Sequence, residues 1–304
     1  MKKIILLLFI LFCYTQAACA QNVAIVLTKD IPIYNAIFGK FITEIKSSNP
    51  GVRVKKFVAS GGTIGEINAF APELIFSVGT KATVLAKKMS GIPKIFTMVV
   101  NPIGESFCTK EGDPLPEMTG VLISVSPEMQ FKLLKQLMPK AERVGVVYDP
   151  SKSSLSVNAG VKVGDKMGLV IGNIPVNDAS KVPDKIESLK GKIDVLWGVV
   201  DDTVYNKNSM EFILLFSFRN KIPLIGFSPN QVKAGALFAM YCNYPVLGTQ
   251  AAQMAGEILA GKSVSDIPLQ NPSDVKYSIS KRAAKLMKLK ISKKILDKAD
   301  KIFE

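Results

Sequence analysis

The 304-residue sequence contains no histidine. This absence excludes the Ser-His-Asp and Cys-His arrangements of nucleophilic catalysis, because both use an imidazole as the base. It also removes histidine from the available metal ligands. No phosphate-binding signature follows a predicted strand, since the glycine-rich stretch at 60–66 lacks the spacing and the lysine of a Walker loop. The sequence therefore predicts neither a cofactor nor a bound metal.

Cysteine is also scarce: the chain has four, and two of them fall in the first 20 residues. The other two are Cys108 and Cys242. They could pair in an oxidising compartment, but two cysteines do not make the disulfide framework of a small secreted domain. We expect two isolated buried thiols, which pack as small apolar side chains.

The first 20 residues have the composition of a secretory signal peptide. Two lysines at 2–3 precede an apolar run at 4–12, and small residues at 18–20 end the segment. We expect residues 1–20 to be removed; the alternative is a lipoprotein that keeps an acylated Cys19. No later run approaches the roughly 20 apolar residues that span a bilayer. The sequence thus predicts export to the periplasm or to the outer face of the cytoplasmic membrane.

The formal net charge is +14, and basic residues concentrate near the C-terminus. Residues 281–304 hold nine lysines and arginines against three acidic residues, interleaved with apolar side chains. We expect a solvated helical face whose apolar side packs on the body of the protein. A patch for an acidic membrane surface or partner is the alternative. Nucleic acid is not an expected partner, because basic and aromatic residues are not interleaved.

Five short apolar runs each end in a small polar turn. They lack the alternation of half-exposed strands, which is typical of strands buried on both faces of a parallel sheet. The runs lie at 74–80, 94–102, 143–151, 194–203 and 223–229. Because ligands of open parallel sheets bind beyond the carboxyl ends of the strands, these turns form the candidate site.

Helical spacing between the runs predicts an α/β fold with two doubly wound parallel-sheet lobes. A strand is also predicted at 120–126, leading into a helix that begins at Pro127. A further strand and helix at 235–262, with the strand at 235–243, must join an existing sheet. We expect this segment to return to the first lobe, so that several chain crossings form a hinge. The predicted boundaries are a first lobe of 21–122 plus 230–262 and a second lobe of 123–229 plus 263–304.

The polar turns carry residues that could hold a small ligand. Thr80 begins a helix after a buried strand, where free N–H groups suit an anion. Ser151, Ser153 and Ser154 offer hydroxyls after another strand, and Ser228 ends the fifth run.

Two adjacent carboxylates, Asp201 and Asp202, lie at the end of the fourth run. They could bind a ligand ammonium, or they could cap a helix, and the sequence leaves both roles open.

The order and spacing of these segments resemble the substrate-binding proteins of ABC importers. More narrowly, the chain is similar to the family that includes predicted tryptophan/tyrosine-binding proteins, with a type I periplasmic-binding fold. The matching segments include PELIFSVGTKAT, QFKLLKQLMPKAERVGVVYDPS, IDVLWGVVDDTV and KIPLIGFSPNQVKAGAL. The resemblance implies two lobes that close on a small solute, usually an amino acid, and then dock on a membrane permease.

The resemblance also implies, by position, which residues line the cleft. They are Thr80, Asn101, Ser151, Asp201, Asp202, Thr203 and Ser228. The family commonly has Thr-Asp-Pro at 100–102 and Asp-Asn-Thr at 201–203, where this chain has Val-Asn-Pro and Asp-Asp-Thr. The family's Asn-Ser pair is replaced by Ser-Leu-Ser at 154–156. We therefore expect a rearranged polar clamp.

Together these observations predict a monomeric, non-enzymatic, exported solute-binding receptor of an ABC importer. The expected ligand is an amino acid or a related zwitterion or anion. Thr80, Ser151 and Ser154 would hold its anionic end, and Asp201 or Asp202 its amino group. One alternative is a periplasmic ligand sensor for a signalling partner, and another is an enzyme that uses the two aspartates.

Overall fold

The computed structural model describes residues 21–304. The predicted signal peptide at 1–20, with the acylation alternative at Cys19, lies outside the described residues. Within residues 21–304, no helix has both the length and the apolar character that crossing a membrane requires.

The first lobe is a five-stranded parallel sheet with the spatial order β2-β1-β3-β4-β5. Its elements are β1 (Asn22–Leu27), α1 (Pro32–Ser48), β2 (Arg53–Val58), α2 (Thr63–Phe70), β3 (Leu74–Val78), α3 (Thr80–Lys87), β4 (Lys94–Thr97) and β5 (Met118–Gly120). Successive side chains of β1 point to opposite faces, and the two sets belong to different hydrophobic cores. Helices therefore cover both faces of this sheet, as a doubly wound fold requires.

The second lobe is a seven-stranded sheet with the order β12-β11-β10-β9-β8-β6-β7. Its strands are β6 (Arg143–Tyr148), β7 (Val170–Pro175), β8 (Val195–Trp197), β9 (Leu224–Gly226), β10 (Phe238–Cys242), β11 (Val275–Ser280) and β12 (Lys301–Phe303). The remaining helices are α4 (Pro127–Leu137), α5 (Pro150–Lys166), α6 (Val182–Glu187), α7 (Lys207–Asn220), α8 (Pro229–Ala234), α9 (Tyr244–Leu259), α10 (Lys281–Leu286) and α11 (Lys293–Leu296). All paired strands are parallel except β10 and β11. The predicted α/β class with two parallel-sheet lobes is confirmed.

The segment 230–262 divides between the lobes, so its assignment to the first lobe is wrong for its first half. Strand β10 pairs with β9 and β11 in the second sheet. The physical reason is the short connection: the six-residue helix α8 leaves β10 directly beside β9. Only α9 returns to the first lobe, where it packs along α1. Gly248 permits this close approach, since a Cβ there would lie 2.1 Å from the Ile37 carbonyl oxygen.

Within residues 21–304, three chain crossings join the lobes. The first crossing is 121–126, which the sequence predicted as part of a strand although β5 ends at Gly120. The second crossing is 242–244 and the third is 270–275, so 263–270 stays with the first lobe and the predicted boundary at 263 is wrong. The Gln270 amide donates to the Gly120 carbonyl over 3.0 Å and thereby holds this segment beside β5.

Hydrogen bonds tie the crossings to one another. The Leu122 amide donates to the Gln270 carbonyl over 2.8 Å, and the Asn243 amide to the Asp274 carbonyl over 3.0 Å. The buried side chain of Gln250, on α9, donates to the Asn271 carbonyl and accepts from the Ser273 amide over 2.9 Å. The crossings therefore form one hydrogen-bonded hinge.

The basic C-terminal segment is not a single helix. Helices α10 and α11 are short, and the chain ends in strand β12 beside β11. Its apolar residues do pack on the second lobe, where Ala283, Ala284 and Ile295 are buried. Cys108 and Cys242 are free and buried in separate parts of the fold.

Candidate functional site

A cavity of about 200 Å³ lies where the first and second crossings meet the strand ends of the second lobe. It is lined by residues 123–125, by 197–200 at the end of β8, by 227–228 after β9, by 240–242 at the end of β10 and by Tyr244; Gln130 and Ser156 complete the wall. Two walls are thus hinge segments, and the others lie at the carboxyl ends of parallel strands, where ligands of such sheets bind.

Aromatic rings form much of this cavity wall. Trp197 is fully buried and meets Phe131 edge to face, with ring centroids 5.0 Å apart. Helix α5 packs directly on the tryptophan ring at Gly160, where a Cβ would lie 2.3 Å from Cη2. This contact explains a glycine inside a regular helix. Phe227 is half-buried and stands edge to face against Tyr205.

The cavity lining is polar at several points but uncharged. Hydroxyl groups come from Ser124, Ser156 and Ser228 and from two tyrosines, and an amide comes from Gln130. Among the described residues that line the cavity, none carries a formal charge. The site is therefore suited to an apolar group that bears a neutral hydrogen-bonding atom.

A cluster of charged side chains lies beside the cavity, at the amino end of α5. Asp149 caps this helix: its Oδ1 accepts from the Ser151 amide over 2.9 Å and from the Ser151 hydroxyl over 2.7 Å. Its Oδ2 accepts from the Thr203 hydroxyl over 2.8 Å. Burial opposes ionisation, but these hydrogen bonds outweigh it and hold the pKa of Asp149 below its ordinary value.

Asp201 is buried and its carboxylate is fully occupied by the protein. Oδ2 accepts from the Asp149 amide and the Ser153 hydroxyl, each over 2.7 Å. Oδ1 accepts from the amides of Thr203 and Val204 over 3.0 and 3.2 Å. Asp201 does not cap a helix, since Asp149 caps α5 and Asn206 caps α7. Its contacts instead close the turn after β8 and join that turn to the start of α5.

Asp202, the next residue, is exposed to solvent rather than buried. Its side chain is 76% exposed and forms an ion pair with Lys152. The hydrogen bond from Lys152 to Asp202 raises the pKa of the lysine above its ordinary value, against the effect of desolvation. Of the two aspartates, only Asp202 is therefore open to a solute.

At the carboxyl edge of the first sheet, Thr80 is the first residue of α3. It follows Gly79 at φ +91°, where a Cβ would lie 2.6 Å from the Thr28 hydroxyl oxygen. That hydroxyl accepts from the Ala82 amide over 3.0 Å. In the described part of the chain, the amides of Thr80 and Lys81 have no such partner. The start of this helix can therefore receive an anion.

Asn101 lies in the loop after β4, which reaches the second lobe. Its Oδ1 accepts from the Gly104 amide over 2.8 Å. A Cβ on Gly104 would lie 2.8 Å from the Ser151 carbonyl oxygen, and one on Gly112 would lie 2.3 Å from Leu155 Cδ1. The loop thus contacts the first turns of α5, and the two lobes meet here directly.

The structure divides the nine residues predicted for the site into three groups. Ser228 lines the cavity and also caps α8. Ser151, Ser153, Asp201 and Thr203 form the hydrogen-bonded cluster at α5, with Ser154 half-buried on the same helix and Asp202 exposed beside it. Thr80 and Asn101 lie on the first lobe. As ligand contacts, these residues remain a prediction.

Four residues that line the cavity were not predicted from the sequence: Ser124, Gln130, Tyr241 and Tyr244. Ser124 was placed inside a predicted strand, so that its position on the first crossing was not foreseen. Tyr241 does lie in a strand, β10, but its place beside the cavity depends on which sheet that strand joins. Gln130 lies on α4, four residues after the strand that was predicted at 120–126. The abrupt start of that helix at Pro127 was the available signal, because a helix start marks where side chains can turn toward a cleft.

Residues 62–303 match the family model described as ABC transporter substrate binding protein. The chain belongs to this family. It is also 30% identical over 218 residues to a tyrosine-binding protein of Clostridioides difficile. That match covers 71% of this chain and 63% of the relative. The resemblance inferred from the sequence is confirmed.

Solved structures agree on the fold of this family member. A substrate-binding protein with adhesive properties from Clostridium difficile, in its ligand-free, open form, superposes with a TM-score of 0.69 at 24% identity. An ABC domain from Streptococcus pneumonia in complex with L-Trp gives 0.62 at 20% identity. Each match covers 93% of this chain; it covers 99% of the Clostridium difficile structure and 100% of the Streptococcus pneumonia structure. The fold is the two-lobed type I periplasmic-binding fold.

Proposed function

We propose that this protein is the exported substrate-binding component of an ABC importer and that it binds an aromatic amino acid between its lobes. The observation that carries the proposal is the uncharged cavity with aromatic walls at the hinge. Its volume of about 200 Å³ lies below the roughly 300–1,000 Å³ of pockets for drug-sized ligands, which points to a small solute. The tyrosine and tryptophan named for two similar proteins support the same ligand class.

The charges of the ligand would be held outside the cavity. Its carboxylate would lie at the start of α3, where the amides of Thr80 and Lys81 and the helix dipole favour an anion. Its ammonium would be attracted by Asp202, the exposed carboxylate of the pair. Lys152 would then exchange its partner from Asp202 to the ligand or to water.

A catalytic role for the two aspartates is not part of the proposal. Asp201 accepts four hydrogen bonds from the protein, so it has no lone pair ready to take a proton from a substrate. Asp202 is mostly exposed and is paired with Lys152, so a substrate held there would not be shielded from water.

The test is a calorimetric titration with L-tyrosine, L-tryptophan and L-phenylalanine, with L-alanine as the small-side-chain control. We expect binding of the aromatic ligands and a smaller radius of gyration in the complex if the free protein samples an open form. Phe227→Ala should weaken binding about tenfold or more, because a buried aromatic contact contributes about 1.5–3 kcal/mol. Phe212→Ala, at a half-buried aromatic on α7 that is not part of the cavity wall, should not. Equal affinity for alanine and the aromatic ligands would contradict the proposal.

We also propose that the protein acts as a monomer in the periplasm or on the outer face of the cytoplasmic membrane, where it docks on a permease. The predicted signal peptide at 1–20 motivates this localisation. Cell fractionation and light scattering test it. Recovery of uncleaved protein in the cytoplasm, or a stable dimer, would contradict it.

A further inference from the structure

Gln130 is a buried polar side chain at the boundary between the hinge and the cavity. It lies in the first turn of α4, is 7% exposed and contributes to the cavity wall. A glutamine buried among Val125, Phe131 and Trp197 needs hydrogen-bond partners, because an unpaired amide in such surroundings is costly.

Two hydrogen bonds fix its orientation. The Trp197 indole donates to Gln130 Oε1 over 2.7 Å, and Gln130 Nε2 donates to the Val125 carbonyl over 2.9 Å. An indole N–H can only donate and a carbonyl can only accept. The amide therefore cannot be turned over without losing both bonds, and its oxygen and nitrogen keep defined places.

These two bonds use half of the hydrogen-bonding capacity of the Gln130 side-chain amide. A glutamine side chain has two N–H donors and two acceptor lone pairs. In the described part of the chain, the second N–H and the second lone pair have no protein partner. Gln130 also lines the cavity, so a bound molecule could supply the partners that this donor and this acceptor lack.

We propose that Gln130 is a specificity-determining residue that hydrogen-bonds a neutral polar atom on the aromatic side chain of the ligand. The inference rests on the proposed function. A ring that brings a hydroxyl or an N–H pairs with the free half of the amide. A ring without such an atom leaves a buried amide group unpaired, which is how polar sites reject apolar analogues.

The experiment compares ligand ratios. Native protein is titrated with L-tyrosine, L-phenylalanine and 4-methyl-L-phenylalanine, in which a methyl group replaces the hydroxyl. We expect L-tyrosine to bind at least about tenfold more tightly than either analogue. In Gln130→Met the ratio should fall to within about twofold, whereas Gln136→Met, at an exposed glutamine on the same helix, should keep the native ratio.

Each outcome decides between the two proposals. The ratio of affinities for two ligands does not depend on the fraction of the variant that is folded. If Gln130→Met does not fold, the 4-methyl analogue still tests the inference on native protein. Binding of all three ligands with equal affinity overturns the role of Gln130 and leaves the proposed function intact. An unchanged ratio in a folded Gln130→Met protein also overturns it. Failure of every aromatic amino acid to bind native protein overturns both.

Discussion

Replacing Asp201 with asparagine would test whether this carboxylate holds the structure together. Each oxygen of Asp201 accepts two hydrogen bonds, and three of the four donors are backbone amides. Asparagine presents an NH₂ group in place of one oxygen. Whichever way this amide faces, at least one buried backbone N–H loses its acceptor. Only Ser153 can rotate its hydroxyl to adapt.

The expected cost follows from these contacts. An unpaired buried donor costs about 1–3 kcal/mol, and the remaining bonds weaken because their acceptor is no longer charged. We expect Asp201→Asn to lower the free energy of unfolding by about 2–4 kcal/mol. Asp202→Asn is the matched control, since its exposed ion pair contributes less than about 1 kcal/mol.

Urea unfolding followed by tryptophan fluorescence measures both variants, because Trp197 is the single tryptophan and lies at the end of β8, just before Asp201. A cost for Asp201→Asn no larger than that for Asp202→Asn would refute the reasoning. Loss of ligand binding with unchanged stability would refute it in a second way, because Asp201 would then contact the ligand.

Three further predictions concern packing, pH and closure. Gly160→Ala should lower the free energy of unfolding by about 1–3 kcal/mol because its methyl group would overlap the Trp197 ring. Gly39→Ala on α1, where no described atom lies within 4 Å of the added Cβ, should be neutral or stabilising; equal urea midpoints for the two variants would contradict this. Burial of Asp149 opposes its ionisation, but its hydrogen bonds outweigh burial and lower the pKa of Asp149 in the folded protein. The ionised side chain therefore stabilises the fold above the ordinary pKa near 3.9, and this stabilisation is lost as the pH falls through the lower folded pKa. The difference in unfolding free energy between the native protein and Asp149→Asn should therefore shrink as the pH falls below about 4. If the dependence of unfolding free energy on pH is the same in both proteins, this role of Asp149 is refuted. Leu155→Ala should increase the radius of gyration without ligand, since it removes one of the two contacts between α5 and the loop at 101–112; an unchanged scattering profile would show that this contact does not hold the lobes together.

The positions of the central strands, and their burial on both faces, could be predicted from the sequence because both depend on local composition. Runs of apolar residues without alternation are typical of central parallel strands, and β3 and β4 are buried along their whole length. The position of β10 could not be predicted in this way. Which sheet a strand joins depends on distant pairing partners, and a segment that reads as strand and then helix gives no sign that the chain crosses between the two.

The same limit applies to the site. Polar residues at strand ends were identified, but their roles depend on which side chains are buried. Asp201 and Asp202 are adjacent and chemically identical, yet one is 2% exposed and saturated with hydrogen bonds while the other faces solvent. Nothing in the sequence distinguishes them, because the difference arises from the position of the Asp149 amide and the Ser153 hydroxyl in the folded lobe.

If the lobes close on a solute as we propose, the location of the cavity would let a small solute control that motion. A ligand shifts a conformational equilibrium only by binding one state better than the other. Residues 123–125 on the first crossing and Cys242 and Tyr244 on the second crossing all line the cavity, so a hinge rotation would change the shape of the cavity itself. Gln130 adds a rigid connection, because it joins the carbonyl of Val125 on the first crossing to Trp197 at the cavity wall. A solute that fits between these groups would therefore bind the two hinge states with different affinities even without a contact to the first lobe, and contacts at the start of α3 would add to that difference.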